Sequence, residues 1–153
     1  MTTSSTDQIR RQIELNAPPA RVWEALTDYQ KFGAWFCVNL EVPFVVGKKA
    51  YGQMTYPGYE HFRFEVEVVA IEPMTRFAFT WHPYAVDHNV DYSNEAPTTV
   101  EFQLEPSGVG TLLTVVESGF DSVPEWRRSE AFRMNEGGWK SQMKNIEKYL
   151  ENK

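Results

Sequence analysis

The chain has 153 residues and a formal net charge of -6, and it carries 5 Trp, 7 Tyr and 10 Phe. That length fits a single domain, and an acidic balance without a basic run argues against nucleic acid or an anionic membrane surface as a partner. A lone cysteine, Cys37, excludes an intramolecular disulfide and suits a reducing compartment, so a cytoplasmic protein is expected.

The opening "MTTSSTDQ" is polar and has no apolar run of a secretory signal. Residues 1–8 are therefore expected to be a flexible tail before one domain over residues 9–153. No apolar stretch approaches the roughly 20 residues of a membrane span, so no membrane insertion is expected. In "IRRQIEL" the residues Ile9, Ile13 and Leu15 share one face of a strand. Asn16 and the two prolines after it suit a helix start. Val22, Leu26 and Tyr29 then recur at helical spacing, and Gly33 is expected to break the run before a second short helix with Ala34, Trp35 and Phe36. Cys37, in "AWFCVNL", has bulky apolar neighbours and no basic side chain beside it, which suits a packed thiol rather than a nucleophile.

Strands follow. "KKAYGQMTY" is one, closed by Pro57 and Gly58. In "HFRFEVEVVAIEP", Phe62, Phe64, Val66 and Val68 face one way and Arg63, Glu65 and Glu67 the other. The alternation slips at Val68 and Val69, which predicts a β-bulge that bends the strand. "EPMT" is a tight connection into "MTRFAFTWHP", which puts Phe77, Phe79 and Trp81 on one face. After the polar loop "YAVDHNVDYSNEAP" comes a hairpin turning at "PSGVG", with Val100, Phe102 and Leu104 on the same side as Leu113 and Val115. Ser122, as a cap, and Pro124 start a final long helix with an apolar stripe of Trp139, Met143, Ile146 and Leu150.

The expected architecture is an α+β fold. One strand and two short helices lead into a curved antiparallel sheet, about six strands in all, which wraps the long C-terminal helix. Gly137 and Gly138 interrupt that helix, and each costs it about 1 kcal/mol relative to alanine. Side chains at those two positions would either obstruct the curved sheet or close a space beneath the helix.

The segments "APPARVWEALTD", "FEVEVVAIEPMTRFAFTW", "VEFQLEPSGVGTLLTVVESGF" and "GGWKSQMKNIEKYL" together resemble the SRPBCC superfamily, and within it the bacterial relatives of the C-terminal domain of the heat-shock chaperone ATPase activator. The resemblance runs from Ile9 to Leu150. It implies the helix-grip fold, related to START-like domains, with a hydrophobic cavity for a lipid, polyketide, sterol or other apolar molecule. Some relatives are cyclases or aromatases, some only bind and carry ligands, and some contact a chaperone in a stress response.

An apolar pocket with a few polar groups is the usual form of a small-molecule site. The expected wall comprises Trp35, Phe36, Phe64, Phe79, Trp81, Phe132, Trp139 and Met143, with Tyr51, Tyr56 and His61 as polar groups. Glu117 shares the inward face of Leu113 and Val115 and is the one candidate acid or base. The competing reading has it reach water or pair with Arg127, Arg128 or Arg133. His82, Asp87, His88 and Asp91 cluster in one loop but match no metal-ligand spacing, so no metal and no cofactor is expected. The leading expectation is binding of an apolar or aromatic molecule without catalysis, by a monomer or a homodimer. The alternatives are a cyclase- or hydrolase-like enzyme using Glu117 with a cavity tyrosine or histidine, and a chaperone-associated interaction protein.

Overall fold

Period-two alternation and helical spacing resolve into one sheet and three helices in the computed structural model, which describes residues 6–87 and 89–151. The chain runs β1 (Gln8–Leu15), α1 (Pro19–Thr27), α2 (Tyr29–Phe36), β2 (Val38–Leu40), β3 (Lys49–Met54), β4 (Arg63–Glu72), β5 (Arg76–Trp81), β6 (Thr98–Ser107) and β7 (Gly110–Ser118). A 3₁₀ turn at Phe120–Ser122 then leads into α3 (Glu125–Glu151). The strands form one antiparallel sheet in the order β1-β7-β6-β5-β4-β3-β2. This is the helix-grip arrangement, with seven strands rather than about six; the additional one is the three-residue β2.

Where the alternation slips, the register between β4 and β5 shifts between Val68 and Ala70, the predicted bulge. Bulges bend a strand and increase its twist, and here the bend curls the sheet over α3. At 1.5 Å per residue α3 is about 40 Å long. Its stripe of Trp139, Met143, Ile146 and Leu150 is buried throughout.

Much of the aromatic surplus fills the core. Phe32 is fully buried and stacks on Phe36 at 4.8 Å, with Trp35 and Phe44 at its edges at 5.0 and 5.3 Å. Phe77 stacks on Phe102 at 6.1 Å.

Two local expectations are corrected. The break between the first two helices falls at Asp28, not Gly33. Asp28 ends α1, and its carboxylate accepts from the backbone N–H groups of Gln30 and Lys31, both at 3.0 Å, as the cap of α2. Gly33 lies inside α2, where a Cβ would stand 2.3 Å from the Val38 carbonyl oxygen; the glycine lets β2 turn back against the helix. Ser122 belongs to the 3₁₀ turn, and Pro124 directly precedes α3.

Residues 1–5 of the expected tail lie outside the described residues. The rest of that stretch is tied down. The carbonyl of Asp7 accepts from the N–H groups of Gly119 and Phe120 at 3.1 and 3.0 Å, and Gln8 opens β1. No helix among the described residues is long and apolar enough to cross a membrane.

Candidate functional site

β7 alternates inward at Leu113, Val115 and Glu117, and Glu117 is fully buried. In the sheet it stands opposite Val100 of β6 and Ile9 of β1. A carboxyl there needs donors to replace water. Three elements supply them. Trp81, the last residue of β5, donates its indole N–H to Oε2 at 2.7 Å, and the Thr98 hydroxyl at the start of β6 donates to the same oxygen at 2.5 Å. One turn apart on α3, Asn135 and Trp139 reach down to Oε1, the amide at 3.0 Å and the indole at 2.8 Å. None of the three arginines weighed as partners touches it. Arg127 pairs with Glu95, Arg128 donates to the Val123 carbonyl at 2.9 Å, and Arg133 lines a cavity.

That cavity lies between α3, the β3–β4 end of the sheet and the loop after β5. Its volume is ≈ 750 Å³, and it is broadly open to solvent. Ligand pockets commonly span about 300–1,000 Å³. Of the residues expected at its wall, Phe36, Tyr56, Phe64, Trp81 and Trp139 line it.

The others lie elsewhere. Trp35 is buried beneath α1, with its indole donating to the Ala25 carbonyl at 2.8 Å. Phe79 is fully buried within the aromatic core, and Met143 is buried under α3. Phe132 packs edge-on against Phe120 at 5.1 Å. Tyr51 stands on the outer face of the sheet beneath the Arg63 guanidinium, 4.7 Å from its ring centre. His61 is exposed and lies against Phe62 at 4.0 Å. Glu117 stands behind the wall and holds two of its indoles.

Further lining residues had no periodic signal. Tyr84, Val86 and Tyr92 come from the polar loop, and Gln142 and Asn145 from α3. The loop is fastened to the helix by Arg127, which is 5% exposed. Its Nε and Nη2 both donate to one oxygen of Glu95, at 2.9 and 2.6 Å, and Nη1 donates to the Pro83 carbonyl at 2.7 Å. The guanidinium also lies over the Tyr92 ring at 4.6 Å. Burial first, and the nearby Glu130 carboxylate second, raise the pKa of Tyr84 above 10.0, with Arg133 opposing; the hydroxyl therefore stays a donor at neutral pH.

In the same loop, His82 Nε2 bonds the Glu95 carbonyl at 2.9 Å. Asp87 and Asp91 accept from the backbone N–H groups of Asn89 and Ser93, each at 2.9 Å. These groups serve the loop backbone, and His88 lies outside the described residues.

Gly137 and Gly138 line the cavity, and a Cβ on either would meet nothing within 4 Å. They do not admit the sheet; they leave the helix side of the cavity without side chains.

Solved structures share this architecture. A protein of Arthrobacter aurescens is 21% identical, with a TM-score of 0.80 over 100% of this chain and 91% of its own. The solution structure of the Aha1 dimer from Colwellia psychrerythraea is 17% identical, with a TM-score of 0.67 over 92% of each chain. DynU16, a protein of the dynemicin biosynthetic locus, is 25% identical with a TM-score of 0.69; the match covers 95% of this chain and 47% of that one. No curated protein gives a significant match. The family model described as activator of Hsp90 ATPase homolog 1-like protein matches residues 16–151, nearly the whole domain, and the chain belongs to that family, within the SRPBCC superfamily.

Proposed function

We propose that this protein binds an apolar or aromatic small molecule in the cavity beneath α3, in the cytoplasm and without catalysis of its own. The observation that carries this reading is the pair Trp81 and Trp139, stacked with ring centres 5.8 Å apart and both lining the cavity. Both indole N–H groups are bonded to Glu117, so the ring positions are set before any ligand arrives. Pre-set aromatic surfaces lower the ordering cost of binding. The two glycines support the same reading, because they leave room where side chains would project. DynU16, from a biosynthetic locus, supports a small-molecule ligand of biosynthetic origin.

The cyclase- or hydrolase-like alternative gains nothing from this geometry. Among the described residues Glu117 has no second titratable group within bonding distance; its neighbours there are two indoles, an amide and a hydroxyl. Interaction with a chaperone or with a second copy of the chain is the second reading. It is favoured by the family description and by the dimeric Colwellia structure.

Native mass spectrometry of protein purified from its own host tests the first reading. One retained small molecule per chain, lost in Gly138→Leu, supports it. Apo protein that also fails to bind a varied panel of aromatic compounds overturns it.

A further inference from the structure

We infer that the ligand is an aromatic anion, with its ring on the Trp81–Trp139 stack and its negative group held at the rim by Arg133 and the Tyr84 hydroxyl. The inference rests on the cavity reading above and adds the chemical class of the ligand.

Three charged residues of β4 and α3 line the cavity: Arg63, Glu65 and Arg133. The first two are engaged on the outer face of the sheet. Arg63 faces Glu41 at 3.7 Å, and Glu65 faces Lys49 at 3.4 Å. Arg133 forms no ion pair among the described residues, although the chain as a whole is acidic. It stands one helical turn before Gly137, which also lines the cavity and where a Cβ would meet nothing within 4 Å.

In the loop after β5, Tyr84 has φ 49°, in the left-handed region that residues with a Cβ rarely adopt. The bond from Arg127 to the carbonyl of Pro83 fixes the preceding residue and helps to hold that conformation. Strained residues held by their surroundings cluster at ligand clamps. Here the strain accompanies a phenol that lines the same cavity as Arg133. The guanidinium is a cation that only donates, and the neutral phenol can donate beside it, a set that suits a carboxylate or a phenolate; the guanidinium charge disfavours an ammonium group.

Isothermal titration of the full chain with 2-naphthoate, 2-naphthamide and 2-naphthylmethylammonium tests the inference with one ring and three charges. The parent should bind the naphthoate about fivefold more tightly than the amide, as expected for an exposed charge contact, and the ammonium compound most weakly. Arg133→Gln should remove the naphthoate preference and leave amide affinity unchanged. Arg133→Lys should retain part of the preference, and Arg10→Gln on the outer strand β1 should retain all of it. Equal binding of naphthoate and naphthamide by the parent, or a preference that survives Arg133→Gln, would overturn the inference and leave the cavity reading standing. If none of the three binds, the inference falls, and the cavity reading falls with it when the protein is also apo and the varied aromatic panel fails.

Discussion

Trp81 and Trp139, one ending a strand and the other in the middle of α3, stack with their planes 28° apart and donate to opposite oxygens of the Glu117 carboxyl. A buried group that looks like a catalytic candidate in isolation is thereby the fastening between sheet and helix. It also fixes the part of the cavity where an aromatic ligand would lie.

Replacing Glu117 with glutamine keeps the size but turns one acceptor into a donor. Indole N–H groups are donors only, so the new amide must face a donor on one side. Glu117→Gln should lower stability by about 1–3 kcal/mol, the penalty for buried polar groups left without partners. Urea denaturation monitored by tryptophan fluorescence measures this. An unchanged midpoint would mean that the four bonds to Glu117 contribute nothing net.

Gly138 separates stability from binding. A Cβ there meets nothing within 4 Å, so Gly138→Ala should raise stability by up to about 1 kcal/mol through helix propensity alone. Gly138→Leu should fold equally well, yet reduce aromatic ligand affinity at least tenfold by filling the cavity. Thermal melts paired with calorimetric titration check both halves. A Leu variant that binds like the parent would show that the ligand does not lie against this part of α3.

The loop after β5 should depend on Arg127. Without it, the largely buried Glu95 carboxyl loses its cation and the Pro83 carbonyl its donor. Arg127→Met should cost about 3 kcal/mol or more. Hydrogen exchange should rise across residues 83–95 before it rises in β6 or β7.

On the sheet, Arg76 pairs with Glu101 across β5 and β6 at 2.8 Å. Burial pushes the pKa of Glu101 up, but bonds from Gln103 and Arg76 outweigh it and hold the carboxyl below its ordinary 4.5. A depressed folded-state pKa gives stability that is present above the unfolded pKa and is lost as pH falls through the folded value. Glu101→Gln should therefore be less stable than the parent at pH 7, with the difference shrinking below about pH 4. Denaturation curves across that range measure it.

The frame of the fold was legible wherever one face of an element carries all the apolar residues. The stripe Trp139, Met143, Ile146 and Leu150 predicts a helix buried along one side, and the slip at Val68 and Val69 predicts the bulge. β2 was missed because three residues are too few to show alternation. The helix break was misplaced at Gly33 because Asp28 acts through its side-chain bonds, which spacing does not reveal.

At the site, alternation puts Glu117 inward but says nothing of its four donors, which come from separate elements. Phe79 and Trp81 share a strand face two residues apart. Only the placement of α3 above the sheet makes one of them core and the other cavity wall. Tyr84 and Tyr92 carry no periodicity, because the loop that presents them is held by individual side-chain bonds, those of Arg127 and His82 among them, rather than by a pattern.

The most direct test of the cavity reading is a two-dimensional ¹⁵N NMR titration with a naphthalene probe, following the five tryptophan indole N–H signals. The signals of Trp81 and Trp139 should shift saturably at one ligand per chain, while that of Trp35, bonded to the Ala25 carbonyl beneath α1, stays in place. Shifts that never saturate, or that centre on Trp126, which is 68% exposed at the start of α3, would contradict a binding cavity beneath the helix.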